Sequence, residues 1–230
     1  MTKINNALVI GAGIGGLAVA IALARRGVAV TVLEQAKAIR EVGAGLQVSP
    51  NGLAVLRALG LEKRLVARGA VRGQAVVMQA HDQESDVARL DLRRLPPAHA
   101  YYFMHRADLI DVLAQAAREH NVSFEMGTLV KDVSGGETPQ LHLADGSTRR
   151  AELVVGADGI HSRARVALNG VDDGFFTGQV AWRATVPNTV GHADVAMVTM
   201  GPGKHLVSYP LRGGVLVNLV AVEERDSWAE

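Results

Sequence analysis

Apolar residues recur mostly at helical spacing, broken by short apolar runs, through the first 170 positions, and with a period of two after them. The opening run, Ala7-Leu8-Val9-Ile10, meets a glycine-rich turn, Gly11-Ala12-Gly13-Ile14-Gly15-Gly16, and this order predicts a strand, a tight turn and a helix from Ile14 to Arg26. A second run, Val28 to Leu33, predicts the next strand and ends at Glu34. Ser49-Pro50-Asn51 opens a helix through Leu59, with Leu53, Leu56 and Leu59 at near-helical spacing and Gly60 as its stop, and a shorter helix follows from Leu61 to Arg68. Gln74 to Gln79 and Val87 to Asp91 read as paired strands around a polar turn. From Arg106 to His120 the pattern is strongly helical, with Leu109, Val112, Leu113 and Ala116 on one face and Asp108, Asp111, Arg118 and Glu119 outside.

Val122 to Glu125 reads as a strand returning to the parallel sheet, and Leu129 to Val133 with Gln140 to Leu143 as a hairpin-like excursion. Leu153-Val154-Val155 is a short buried strand that carries a second glycine turn, Gly156-Ala157-Asp158-Gly159, to the same end of the sheet as the first. Past Gly170 the alternation predicts strands at Gln179 to Val186, Asp194 to Met200, His205 to Pro210 and Val215 to Val222. Residues 223–230 read as the start of a helix. The fold class is α/β, a parallel sheet joined to a mainly antiparallel one.

Composition narrows the function only by exclusion. A net charge of +1 gives no electrostatic case for nucleic acid or acidic membranes, and the absence of cysteine excludes disulfides, thiolate metal sites and cysteine nucleophiles. No metal site is expected. The uncharged run from Ala7 to Ala24 has the length of a membrane span, but glycines at fingerprint spacing interrupt it, so the expectation is a cytoplasmic protein without a membrane segment.

The glycines carry the chemistry. Gly11 permits the tight turn, Gly13 lets the backbone approach a diphosphate, and Gly16 lets the helix sit close to the strand. The helix start then points unpaired N–H groups and its positive dipole end at that diphosphate. Glu34, at the end of the second strand, accepts the hydroxyls of an adenosine ribose and repels a 2′-phosphate. FAD and NAD both satisfy this pattern; the bland alternative is a helix packed on a sheet through its glycines. Asp158 and Gly159 read equally as an ordinary strand-to-helix turn with the aspartate as cap. Arg106 opens its helix where a basic residue is unfavourable unless an anion lies near, or it pairs with Asp108 or Asp111.

These residues resemble the FAD-dependent aromatic monooxygenases, the group that includes salicylate hydroxylase and para-hydroxybenzoate hydroxylase. The resemblance rests on the first turn with Glu34-Gln35, on residues 43–51 (GAGLQVSPN), on His105-Arg106-Ala107-Asp108-Leu109, on residues 156–165 (GADGIHSRAR) and on residues 205–210 (HLVSYP). It implies a Rossmann-like FAD-binding domain of residues 1–72 and 98–170 and an incomplete substrate-domain sheet of residues 73–97 and 171–230. It also implies FAD with Glu34 and Gln35 at the adenosine, Gly13 and Gly15 at the pyrophosphate, Gln47 near the flavin ring and Arg106 at the phosphate and ribityl region. Asp158 and Gly159 would touch flavin and pyridine nucleotide, and Arg165 would orient that segment or meet NAD(P)H.

The chemistry the resemblance implies is hydroxylation of a small aromatic acid, salicylate- or hydroxybenzoate-like, by NADH or NADPH and O₂ through a flavin hydroperoxide. Tyr209 and His205 are the catalytic candidates near the ring, with Tyr209 favoured as a hydrogen-bond relay, since a free tyrosine titrates near ~10. Gln47 stands where related hydroxypyridine hydroxylases carry a histidine, which weighs against a hydroxynicotinate. Arg183 either meets a substrate carboxylate or is solvated. A further Gly-Asp motif of the family is absent, so a longer parent enzyme is expected. The other readings are a NAD-dependent dehydrogenase and a non-catalytic FAD-binding remnant; a monomer or homodimer is expected.

Overall fold

A computed structural model describes residues 4–39, 43–83, 85–171 and 174–228. The chain separates into two compact units, Met1–Glu41 with Leu109–Asp173, and Val42–Asp108 with Gly174–Glu230.

The first unit is built on a four-stranded parallel sheet in the order Leu153–Gly156, Asn6–Ile10, Ala29–Glu34, Ser123–Met126. Four of the five residues of Asn6–Ile10 are buried, which is why this central strand reads as a continuous apolar run rather than an alternating one. Helix Ile14–Ala24 buries Gly16, Leu17, Ala20 and Ile21. The excursion is a three-stranded antiparallel sheet of Val130–Ser134, Gln140–Leu143 and Thr148–Arg150, which shares a core of Leu8, Leu33, Leu141 and Leu143 with the parallel sheet.

The second unit holds a six-stranded sheet in the order Gln179–Pro187, Leu216–Glu224, Lys204–Leu211, Val195–Gly201, Ala75–Ala80, Asp86–Asp91. All its pairings are antiparallel except Val195–Gly201 with Ala75–Ala80, in agreement with the mainly antiparallel pattern of the sequence. A smaller sheet of Gly45–Val48, Tyr102–His105 and Val71–Arg72 belongs to the same unit. Its Phe103 is fully buried with Tyr209 and Leu211 of the large sheet.

Several expectations need correction. Glu223 and Glu224 complete the strand Leu216–Glu224 instead of opening a helix, and no helix follows among the described residues to Trp228; residues 229–230 lie outside the described residues. The apolar run of Leu216 to Val222 carries the strand on to Glu224, which pairs with Gln179. Asp108 is not on the outer face of helix Arg106–Glu119: it is 8% exposed and forms a two-pronged ion pair with Arg212, at 2.9 Å through both Nε and Nη2. The compact units are contact groupings and leave the functional division expected at residues 72, 97 and 170 as a separate matter. The Gly45–Val48 and Tyr102–His105 strands group with the six-stranded sheet because Phe103 packs into its core.

Candidate functional site

Two turns separated by some 145 residues in sequence meet in the first unit because their strands are neighbours in register, Ile10 opposite Gly156. The Ala157 N–H donates to the Ile10 carbonyl at 2.9 Å, and the Gly11 N–H to the Leu33 carbonyl at 2.7 Å. Gly11 has φ +97°, and a Cβ there would lie 2.5 Å from the Ala157 carbonyl oxygen. A Cβ on Gly16 would lie 1.9 Å from the Gly11 oxygen. These two glycines are therefore required by the contact of helix, strand and second turn. Gly13 and Gly15 differ: nothing lies within 4 Å of their Cβ positions, so they leave the backbone open on that side.

Gly13 caps helix Ile14–Ala24 without any side-chain hydrogen bond, and the first turn holds no acidic residue. Its leading N–H groups thus present donors and the positive dipole end to whatever occupies the open side. That side is a cleft of about 370 Å³ lined by Gly11, Gly13, Glu34, Gln35, Asp158 and Gly159 among others. Gly15 and Gly16 do not line it.

Glu34 is fixed in the cleft by two backbone donors, Ala12 N–H to Oε2 and Ala36 N–H to Oε1, each at 2.8 Å. Each carboxylate oxygen keeps a lone pair for a further donor. The residues fit an adenine dinucleotide: uncapped N–H groups beside open glycines for the diphosphate, and an oriented carboxylate for ribose hydroxyls.

The Asp158 carboxylate is turned into its own segment. Oδ1 accepts from the Ser162 hydroxyl at 2.6 Å, and Oδ2 from the Arg163 N–H at 2.6 Å, so Asp158 caps helix Arg163–Asn169 from upstream. What it offers the cleft is the backbone shape around Gly159, whose φ is +77°. Arg165 donates to the Ile160 carbonyl at 2.9 Å and so braces the same turn.

The remaining sequence candidates lie in the second unit. Gln47, on Gly45–Val48, accepts a 2.8 Å hydrogen bond from the Tyr101 hydroxyl. Arg106 begins its helix, and its N–H donates to the Ala44 carbonyl at 3.2 Å; of its two alternative partners, Asp108 and Asp111, Asp108 is also bound by Arg212. Tyr209 is 3% exposed, its ring 5.3 Å from that of Phe103. His205 shares a face with Tyr209 along Lys204–Leu211 but lines a separate cleft with Trp182, Lys204 and Leu206, so these two candidates do not converge.

Burial pushes the Tyr209 hydroxyl up to about 12, the Arg183 guanidinium pulling the other way. The phenol is therefore protonated at neutral pH and acts as a donor or relay, not as a base. The neutral form is the one the fold prefers, so its contribution to stability is intact below the unfolded value near ~10 and is lost as pH rises towards 12. The urea midpoint of the protein is expected to fall between pH 10 and 12 more steeply than that of Tyr209→Phe; parallel curves would contradict the shift.

Sequence reasoning missed Tyr101, Phe103 and Asn218. Asn218 is fully buried, accepts the Gly45 N–H at 2.5 Å through Oδ1, and leaves Nδ2 without a partner among the described residues. A Cβ on Gly45 would lie 2.7 Å from the Tyr209 ring and 3.0 Å from Asn218, so glycine is what lets this edge strand approach the pair. The signal was present: a single amide within the apolar alternation of residues 215–222.

A family model described as an FAD binding domain matches residues 5–226. The chain is 38% identical over 224 residues to 3-amino-4-hydroxybenzoate 2-monooxygenase of Streptomyces cremeus, covering 93% of this chain and 55% of the relative. It is 33% identical to 3-hydroxybenzoate 6-hydroxylase of Klebsiella oxytoca, covering 99% and 60%. Among solved structures, a Klebsiella pneumoniae HpxO variant complexed with FAD superposes with a TM-score of 0.84 at 25% identity, over 99% of this chain and 59% of that one. The tetrameric form of 2-methyl-3-hydroxypyridine-5-carboxylic acid oxygenase gives 0.78 at 26% identity, over 97% and 60%. The chain thus spans somewhat more than half the length of these relatives. No helix among the described residues is long and apolar enough to cross a membrane. With the match running over nearly all of its residues, and with turns and carboxylate placed as an adenine dinucleotide requires, this chain belongs to the FAD-binding domain family.

Proposed function

We propose that the chain is the cofactor-holding and ring-binding part of an NAD(P)H-dependent flavin monooxygenase that hydroxylates a small aromatic acid of the hydroxybenzoate type. The observation that carries this reading is the convergence of both glycine turns and Glu34 on one cleft. FAD, once bound and reduced by NADH or NADPH, supplies the chemistry with O₂ that the side chains themselves lack. The N–H groups after Gly13 hold its diphosphate and Glu34 its adenosine ribose, with Gln35 beside the adenosine. Arg106 supplies positive charge to the phosphate and ribityl region, and Asp158 holds the Gly159 backbone in shape.

On the second unit, Tyr209 keeps its proton at Oη at neutral pH and donates to an oxygen of the substrate. The Tyr101 hydroxyl is spent on Gln47 Oε1, which turns the Gln47 NH₂ into the remaining donor of that pair. Val207 and Val220, half-buried beside Tyr209, supply a dry surface for the ring. The division into a FAD-binding part, residues 1–72 and 98–170, and a substrate sheet, residues 73–97 and 171–230, is the functional partition of this reading. The assembly it calls for is a monomer or homodimer.

The relatives named for hydroxybenzoates support the substrate class. FAD-loaded protein is expected to oxidise NADH or NADPH faster in the presence of 3-hydroxybenzoate and to release a hydroxylated product. Flavin binding without either response would favour a non-catalytic remnant, and tight NAD binding by a colourless protein a dehydrogenase. Glu34→Ala removes a charged acceptor worth about 1.5–3 kcal/mol per hydrogen bond. Its FAD dissociation constant is expected to rise at least about tenfold, measured by flavin fluorescence; an unchanged constant would show that the carboxylate serves only Ala12 and Ala36.

A further inference from the structure

We propose that Arg183 is the specificity residue that binds the carboxylate of the aromatic acid, a role that rests on the hydroxylase reading above. The strand registers put it on the Tyr209 face of the six-stranded sheet: Arg183, Val220 and Val207 form one row, and Thr185, Asn218 and Tyr209 the next. Two strand spacings, about 10 Å, separate the rows' ends, with Val220 and Val207 as an apolar floor between a cation and a phenol. A benzene ring with a carboxylate at one end and a hydroxyl at the other spans such a floor.

Charge singles Arg183 out. The other Lys and Arg residues of the six strands, Arg89 and Lys204, pair in register with Val77 and with Gly201 and Glu223, which places them on the opposite face. Trp182 also faces that opposite side, where Arg225 covers its ring at 5.0 Å and pairs with Glu223. Arg183 is exposed and, among the described residues, makes no hydrogen bond or ion pair. Its field nevertheless reaches the Tyr209 hydroxyl, since the guanidinium acts against the upward shift there. A carboxylate brought onto an apolar face needs a paired cation, and a planar guanidinium meets it through two parallel N–H bonds.

The test compares FAD-loaded wild type with Arg183→Gln and Arg183→Lys, titrated with 3-hydroxybenzoate and with its neutral analogue 3-hydroxybenzyl alcohol, read by perturbation of the flavin spectrum. Wild type is expected to prefer the acid at least tenfold. Arg183→Gln is expected to weaken the acid about 30-fold and to leave the alcohol within twofold, with Arg183→Lys in between and Arg225→Gln unchanged. A Gln variant that keeps the preference for the acid would overturn the assignment while leaving the hydroxylase reading intact. Wild type that retains FAD but binds neither probe would remove that reading and the assignment with it.

Discussion

Gly16→Ala is expected to abolish FAD retention. The added methyl lands 1.9 Å from the Gly11 carbonyl oxygen and 3.4 Å from the Ala157 Cβ, and the nearer atom is backbone that cannot swing aside. The helix must withdraw from both turns at once. Overpacking of this kind costs about 1–3 kcal/mol, and here the displacement also moves the N–H groups that would hold the diphosphate. Gly13→Ala separates the two effects. Nothing lies within 4 Å of its Cβ position and its φ of −73° suits any residue, so the thermal midpoint is expected to hold while FAD weakens. Flavin co-eluting on gel filtration, together with far-UV circular dichroism, checks both variants. Wild-type retention by Gly16→Ala would mean that the close approach of helix and turn does not form the site.

Phe103→Ala is expected to cost about 3–5 kcal/mol, the range for emptying a buried aromatic position. Phe103 is fully buried between Tyr101 and Tyr209, with ring centroids 6.0 Å and 5.3 Å away, and a Cβ on Gly73 would meet its ring at 2.8 Å. The small sheet and the large one share this ring as their common core, so its loss frees Tyr101 to leave Gln47 and Tyr209 to turn. Urea unfolding is expected to show the loss in the midpoint at constant slope. A change below about 1 kcal/mol would show that the cluster is not the centre of the second unit.

The sequence was most legible where backbone geometry leaves a choice of one residue. Gly11, Gly16 and Glu34 occupy the places their spacing predicts, because a left-handed turn, a helix in contact with a carbonyl and the end of a second strand each admit few alternatives. The meeting of the two turns was readable as well, since both follow apolar strands that parallel pairing sets side by side.

Interactions between distant segments were not legible. Asp108 reads as the outer face of an amphipathic helix by period alone, and only the Arg212 turn, more than a hundred positions later, makes it a buried partner. Arg212 itself has φ +50°, a conformation no local pattern announces for an arginine. The strands Gly45–Val48 and Tyr102–His105 are four residues each, too short for alternation to register, and their pairing is antiparallel across more than fifty residues. Asp158 reads both as a cap and as a cofactor contact; its carboxylate accepts from Ser162, Arg163 and Ala164, partners that a local reading of the turn supplies for the cap alone.

Hydrogen–deuterium exchange of the protein with and without bound FAD addresses the cofactor site most directly. Protection on binding is expected to concentrate in the amides of residues 11–17, around Glu34 and in residues 157–160, with Gly13→Ala reducing it in all three segments together. Protection confined to other segments, or FAD bound at wild-type affinity with these amides exchanging as in the free protein, would contradict it.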